Sequence, residues 1–119
     1  MYSNLEDWQI ELIEYFSKQE GRPYPISNQV VVCGFVSPYL NDWENFVKKL
    51  DKEIILEKRQ FEAVVLLNNE RWVFINPNEN YIRGYRFYKV LVNKNIDKKI
   101  INEAILPLCV GYCKYFEWF

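Results

Sequence analysis

Chemistry near neutral pH usually recruits histidine, and this sequence contains none. A Ser–His or Cys–His nucleophilic pair therefore cannot be built from it. Thiols are few as well. The cysteines are Cys33, Cys109 and Cys113, and Cys109-x-x-x-Cys113 is not the two-residue spacing usual for structural zinc. Three thiols cannot complete a four-ligand set, so no metal is expected. The glycines, Gly21, Gly34, Gly84 and Gly111, are widely separated, which removes the phosphate-loop and dinucleotide patterns. No cofactor is expected either. Carboxylates remain: Glu53, Glu57 and Glu62 lie among Lys52, Lys58 and Arg59. Paired acids in a cleft can serve glycoside hydrolysis or a metal-dependent nuclease. A charge run of this kind is more often a solvated connection. A small enzyme or ligand-binding domain relying on carboxylates is one reading; a chain that is not an enzyme is preferred.

The segment that rises above background is Tyr81-Ile82-Arg83-Gly84-Tyr85-Arg86-Phe87-Tyr88-Lys89. As a strand it places Tyr85, Phe87 and Lys89 on one face and Arg86 and Tyr88 on the other. Rings flanked by cations on an open sheet suit a single-stranded nucleic acid, bases stacking while phosphates meet Arg and Lys. Tyr81, Arg83, Tyr85, Arg86, Phe87 and Lys89 are therefore the candidate partner- or nucleic-acid-binding residues. Arg83, Gly84, Tyr85 and Phe87 resemble the RNP1 motif of RNA-recognition domains, which implies an RNA-binding sheet. The resemblance departs at Arg86 and at Val90. The competing reading packs these rings in the core, where aromatic stripes usually belong. A rough order of elements with Asn102-x-x-Ile105-x-Pro107-Leu108 is similar to small staphylococcal inhibitors of uracil-DNA glycosylase. Those are strongly acidic, whereas this chain has a net charge of −1.

The elements that must position these residues follow from spacing. A chain of 119 residues reads as a single compact domain over 1–119. Leu5, Trp8, Leu12, Tyr15 and Phe16 form one stripe of a helix over 4–19, with Ser3 and Glu6 as a capping box. Val30 to Val36 is a nearly continuous apolar run, the mark of a central strand buried on both faces. Gly34 within it marks a bulge or a close backbone contact. A second helix over 42–50 buries Trp43, Phe46, Val47 and Leu50. Strands follow over 61–67 and 71–75 with a hairpin turn at 68–70, then a strand over 85–92. A helix over 97–106 ends or kinks at Pro107. The tail 108–119 is apolar on both strand faces and also fits a helix; a strand closing the sheet is the preferred reading. The expected fold is α+β: an antiparallel or mixed sheet of about five strands with about three helices packed against it.

Aromatics make up 18% of the chain, more than a core of this size readily absorbs. Tyr, Trp and Arg concentrate at interface hot spots, and Tyr2, Tyr24, Tyr39, Tyr81 and Trp118 fall in expected loops or the tail. The preferred function is binding by protein–protein contact, as an inhibitor or accessory factor. The abundance of Asn, Ile, Lys, Tyr and Phe fits AT-rich codons, hence a phage or other mobile element of an AT-rich bacterium. Nucleic-acid binding through 81–89 is the alternative, supported by a local charge of +5 over residues 81–100. A homodimer is also compatible. No apolar run approaches the ~18 residues of a membrane span, and the N-terminus lacks a signal-peptide pattern. With an odd number of cysteines, a cytoplasmic protein with free thiols is expected.

Overall fold

A computed structural model describes residues 4–18, 30–50, 55–58, 62–65, 69–78, 86–111 and 113–119. The chain runs α1 (Asp7–Lys18), β1 (Val31–Val36), α2 (Leu40–Leu50), β2 (Ile55–Lys58), β3 (Glu62–Val65), β4 (Glu70–Ile75) and β5 (Lys89–Val92). A composite helix, α3, then joins a turn at Lys98–Ile100, a π-helical turn at Ile101–Ile105 and a last α-turn at Leu106–Cys109. Strand β6 (Tyr115–Trp118) follows. The sheet order is β2-β3-β4-β1-β5-β6.

The α+β expectation is corrected here. Four strands, β4, β1, β5 and β6, run all parallel, and helices cover both of their faces, an α/β arrangement. Strands β3 and β2 extend this unit beyond β4. The physical reason lies in the connections. Parallel neighbours need crossovers, and α2 and α3 supply them, whereas the expected arrangement rests on hairpins. The two strands expected to form a hairpin do pair antiparallel, β3 with β4, but Glu70, read as part of the turn, already belongs to β4 opposite Val65, and Asn69 before it has φ 51°. Strand β2 falls in the stretch read as a solvated connection. The strand expected over 85–92 is shorter, Lys89–Val92. The tail reaches the sheet only from Tyr115, after Leu106–Cys109 has completed a helical turn.

Strand β1 is central, with β4 on one side and β5 on the other. Its alternate residues feed two cores. Val31, Cys33 and Phe35 pack beneath α2 with Trp43, Val47, Trp72 and Tyr88. Val36 joins Val73, Val90, Val92, Phe16, Ile101 and Ile105 beneath α1 and α3. The connection leaving β1 thus crosses one face, and the connection leaving β5 crosses the other.

Local chemistry explains the helix ends. In α1 the Gln9 Oε1 accepts the Glu6 backbone N–H at 2.8 Å, one half of a capping box. Asp97 accepts from the Lys99 N–H at 2.9 Å and caps α3. The π-turn precedes Pro107, which has no N–H to give the Glu103 carbonyl and whose ring crowds it.

Gly34 is fixed by close approach. A Cβ at this position would lie 2.8 Å from the Phe87 ring, which is itself completely buried. Gly34→Ala should therefore destabilise by about 1–3 kcal/mol, the cost of overpacking. Urea unfolding of this variant and of Gly34→Ala with Phe87→Leu tests the cause. The double variant should cost less than the two single changes combined.

Candidate functional site

Sheet edges are where a fold either hides or offers its backbone. Strand β6 is one edge of this sheet. Its inner side is satisfied by β5, with Phe119 N–H donating to Val92 O at 2.9 Å and Lys94 N–H to Phe119 O at 2.8 Å. Alternation along a parallel ladder then turns Tyr115 and Glu117 toward β5 as well. The N–H and C=O groups of Phe116 and Trp118 point outward. Among the described residues none pairs with them.

Helix α1 lies against this edge, held there by aromatic packing. Phe16 stacks on Phe116 with ring centroids 5.2 Å apart, and Trp8 meets Trp118 edge-on at 5.5 Å. Buried Gln9 is the polar fastening. Its Nε2 donates to Lys94 O at 2.8 Å, and its backbone carbonyl accepts the Trp118 indole N–H at 3.0 Å. Between α1 and the edge runs a groove of about 510 Å³. Leu5, Ile13 and Ser17 form one wall, and residues 114–119 form the other, with Lys94 beside them. On the opposite face of β6, Tyr115 and Phe119 are exposed aromatics at 42% and 37%. The edge thus combines backbone groups with no partner among the described residues, a partly apolar trough and two partly exposed rings, Tyr115 edge-on to Tyr88 and Phe119 stacked on Phe35.

The residues singled out from sequence are dispersed. Tyr81, Arg83 and Tyr85 lie outside the described residues. Arg86 is exposed. Phe87 belongs to the core against Gly34 and has no surface left for stacking on a base. Lys89 is bound to Glu70, its Nζ 2.8 Å from Oε2. Glu70 is nearly fully buried, and its other oxygen accepts the Trp72 indole N–H at 3.2 Å. Of the loop and tail aromatics, Tyr39 is exposed and Trp118 half-buried, while Tyr2, Tyr24 and Tyr81 lie outside the described residues. Among the candidate acids, Glu62 pairs with Arg71 at 3.5 Å, Glu57 sits on β2, and Glu53 lies outside the described residues.

Open α/β sheets commonly hold ligands at the carboxyl ends of neighbouring strands whose connections diverge. Here that point lies between β1 and β5. The chain's own side chains meet there. The Ser37 hydroxyl donates to Asp42 Oδ2 at 2.6 Å and accepts the Tyr39 N–H at 3.1 Å. Asn93 Nδ2 donates to the same Asp42 oxygen at 3.1 Å. Ser37 and Asn93 are buried, so this cluster fastens the start of α2 to the ends of β1 and β5.

All three thiols are free and buried. Burial, with Glu70 nearby, pushes the Cys33 thiol far above its ordinary value. A hydrogen bond with the Cys113 thiol, then burial, raises Cys109. Thiols held protonated are poor nucleophiles. In the folded protein DTNB should label none of the three within minutes at pH 8, and all three after denaturation. Fast labelling of the native chain would contradict this packing. Among the described residues, no group of three or more acids and cysteines is placed to hold a metal ion. No helix among them is long and apolar enough to cross a membrane.

Sequence reasoning missed the β6 edge because it depends on topology. The tail is visible as an apolar, aromatic strand, but its place at the margin of the sheet is set by α3.

Comparison with known proteins bears on the fold. No family model matches the chain, and no curated protein matches it. Among solved structures, the large terminase of the thermophilic bacteriophage D6E is similar, with a TM-score of 0.60 and 8% identity. The match covers 98% of this chain and 39% of that one. The likeness is one of fold. It gives the chain a structural neighbour in a phage protein.

Proposed function

We propose that this chain works by contact with another protein, as an accessory factor or inhibitor of phage origin, and that β6 is the centre of the contact surface. The observation that carries the reading is the edge itself: outward backbone groups at Phe116 and Trp118 beside a groove and two exposed rings. An open edge is an aggregation hazard that folds normally blunt or use. Exposed aromatics beside it are the residue types that dominate binding energy at interfaces. The structural likeness to a bacteriophage terminase supports the phage part of the reading.

The test is capture from the native host with nuclease-treated lysate. One protein should co-purify in stable ratio. Tyr115→Ala, which removes an exposed ring from the face opposite α1, should weaken that complex roughly tenfold. Two results would overturn the reading. One is binding of added single-stranded RNA or DNA by the purified protein, with an affinity that collapses as salt rises. The other is turnover of a defined substrate that disappears when a single carboxylate is neutralised.

A further inference from the structure

We propose that the β6 edge takes an extended segment of another protein, with large apolar side chains at alternate positions facing α1 and a basic residue facing Glu117. This rests on the contact reading above and names what the edge accepts.

The backbone sets the shape of the occupant. Phe116 and Trp118 offer N–H and C=O groups in a row, two residues apart, on the outward side of a regular strand. A backbone in extended form matches that period and can satisfy both residues, as strand addition does elsewhere. A strand seated there lies about 4.8 Å from β6. Its side chains alternate between two environments. One set enters the groove of about 510 Å³ beside Leu5 and Ile13. The other set lies with Tyr115, Glu117 and Phe119 on the far face.

A second copy of this chain fits less well. Antiparallel pairing of β6 with itself would bring a second α1 toward the first. Helix α1 carries Asp7, Glu11 and Glu14 against Lys18, with Glu6 just before it, so the two would repel. Charge then places the partner's basic residue. Exposed Glu117 stands in the middle of β6, on the face away from α1. The cation therefore belongs mid-strand, on the Glu117 face.

The probe is a synthetic, end-capped nonapeptide alternating threonine and leucine, with lysine replacing the central threonine. It is titrated into the isotope-labelled protein and followed by amide NMR. Shifts should concentrate at Phe116, Trp118, Ile13 and Ser17. Ser17→Trp, which fills the groove from an exposed position, should weaken binding at least tenfold, about 1.4 kcal/mol. A peptide of the same composition in non-alternating order should bind at least tenfold more weakly, and N-methylation at its edge-facing positions should abolish binding.

Equal binding of both peptide orders, or shifts confined to another surface, would overturn the proposal. So would protection of the Phe116 and Trp118 amides that grows with protein concentration alone, the sign of a second copy. If a host protein is captured, yet Ser17→Trp and the alternating peptide leave that complex intact, strand addition fails while the contact reading stands.

Discussion

Replacing Lys89 with methionine is expected to lower the unfolding free energy by about 2–3 kcal/mol. The Glu70 carboxylate sits under α2 with 5% of its side chain exposed, while Lys89 keeps 28%. Removing the ammonium takes the Lys89 cation away from this buried carboxylate, which lies beside Cys33 and Trp72. Breaking a buried pair by one partner commonly costs about 3–5 kcal/mol. The partial exposure of Lys89 places this case at or below the low end. Register explains why the pair exists. Cys33 of β1 stands between Trp72 of β4 and Lys89 of β5, so the carboxylate of Glu70 and the ammonium of Lys89 reach each other across the central strand. Glu70→Gln combined with Lys89→Met should recover part of the loss, because the amide still accepts the Trp72 indole N–H and no charge is stranded. Urea unfolding at pH 7 measures both. A loss below about 0.5 kcal/mol for Lys89→Met would mean that the pair behaves as a solvated surface contact.

The second large effect is alkaline unfolding. Cys33 and Cys109 are both held above their ordinary value of 9.0, Cys33 chiefly by burial and Cys109 chiefly by its hydrogen bond with the Cys113 thiol. The folded chain keeps these protons where the unfolded chain loses them. Stability is therefore full below about pH 9 and falls as pH rises above it, by about 1.4 kcal/mol per pH unit for Cys33, with Cys109 acting in the same direction. Between about pH 9 and pH 10.5 Cys33 alone should remove about 1.5 kcal/mol, and Cys109 adds to the loss in the same direction. Burial raises Tyr88 as well, which steepens the fall beyond pH 10.0. Denaturation midpoints measured under reducing conditions should show this slope, and Cys33→Ala should remove one thiol's share. A midpoint constant from pH 8 to pH 10.5 would contradict the buried state of these groups.

Several elements were readable from residue order alone, and the reasons are physical. The unbroken apolar run of β1 has no polar residue to turn toward water, so it demands the centre of a sheet covered on both faces. Trp43, Phe46, Val47 and Leu50 repeat at helical spacing and form the inner side of α2. Gly34 stands where a side chain would strike Phe87. The sense of the sheet was not readable. Parallel and antiparallel partners draw on the same apolar strands, and the distinction rests on where α2 and α3 carry the chain. The aromatic segment 81–89 shows the same limit. Alternation puts Phe87 and Lys89 on a shared face only if a strand spans both. Here β5 begins at Lys89, Phe87 turns into the core beneath Gly34, and Lys89 reaches Glu70. Composition signalled surplus aromatics. Among the described residues the exposed ones are Tyr15 on α1, Tyr39 ahead of α2, and Tyr115 and Phe119 on β6; for this last pair exposure depends on the edge position of the strand.

The most direct measurement is residue-resolved amide hydrogen exchange on the isolated chain and again on its complex with the captured partner. The account requires rapid exchange at Phe116 and Trp118 in the isolated chain, with slower exchange at Glu117 and Phe119, whose N–H groups face β5. The complex should then slow Phe116 and Trp118 alone among these four. Slow exchange at Phe116 and Trp118 in the dilute, isolated protein would mean the edge is already covered, and the contact surface described here would not exist.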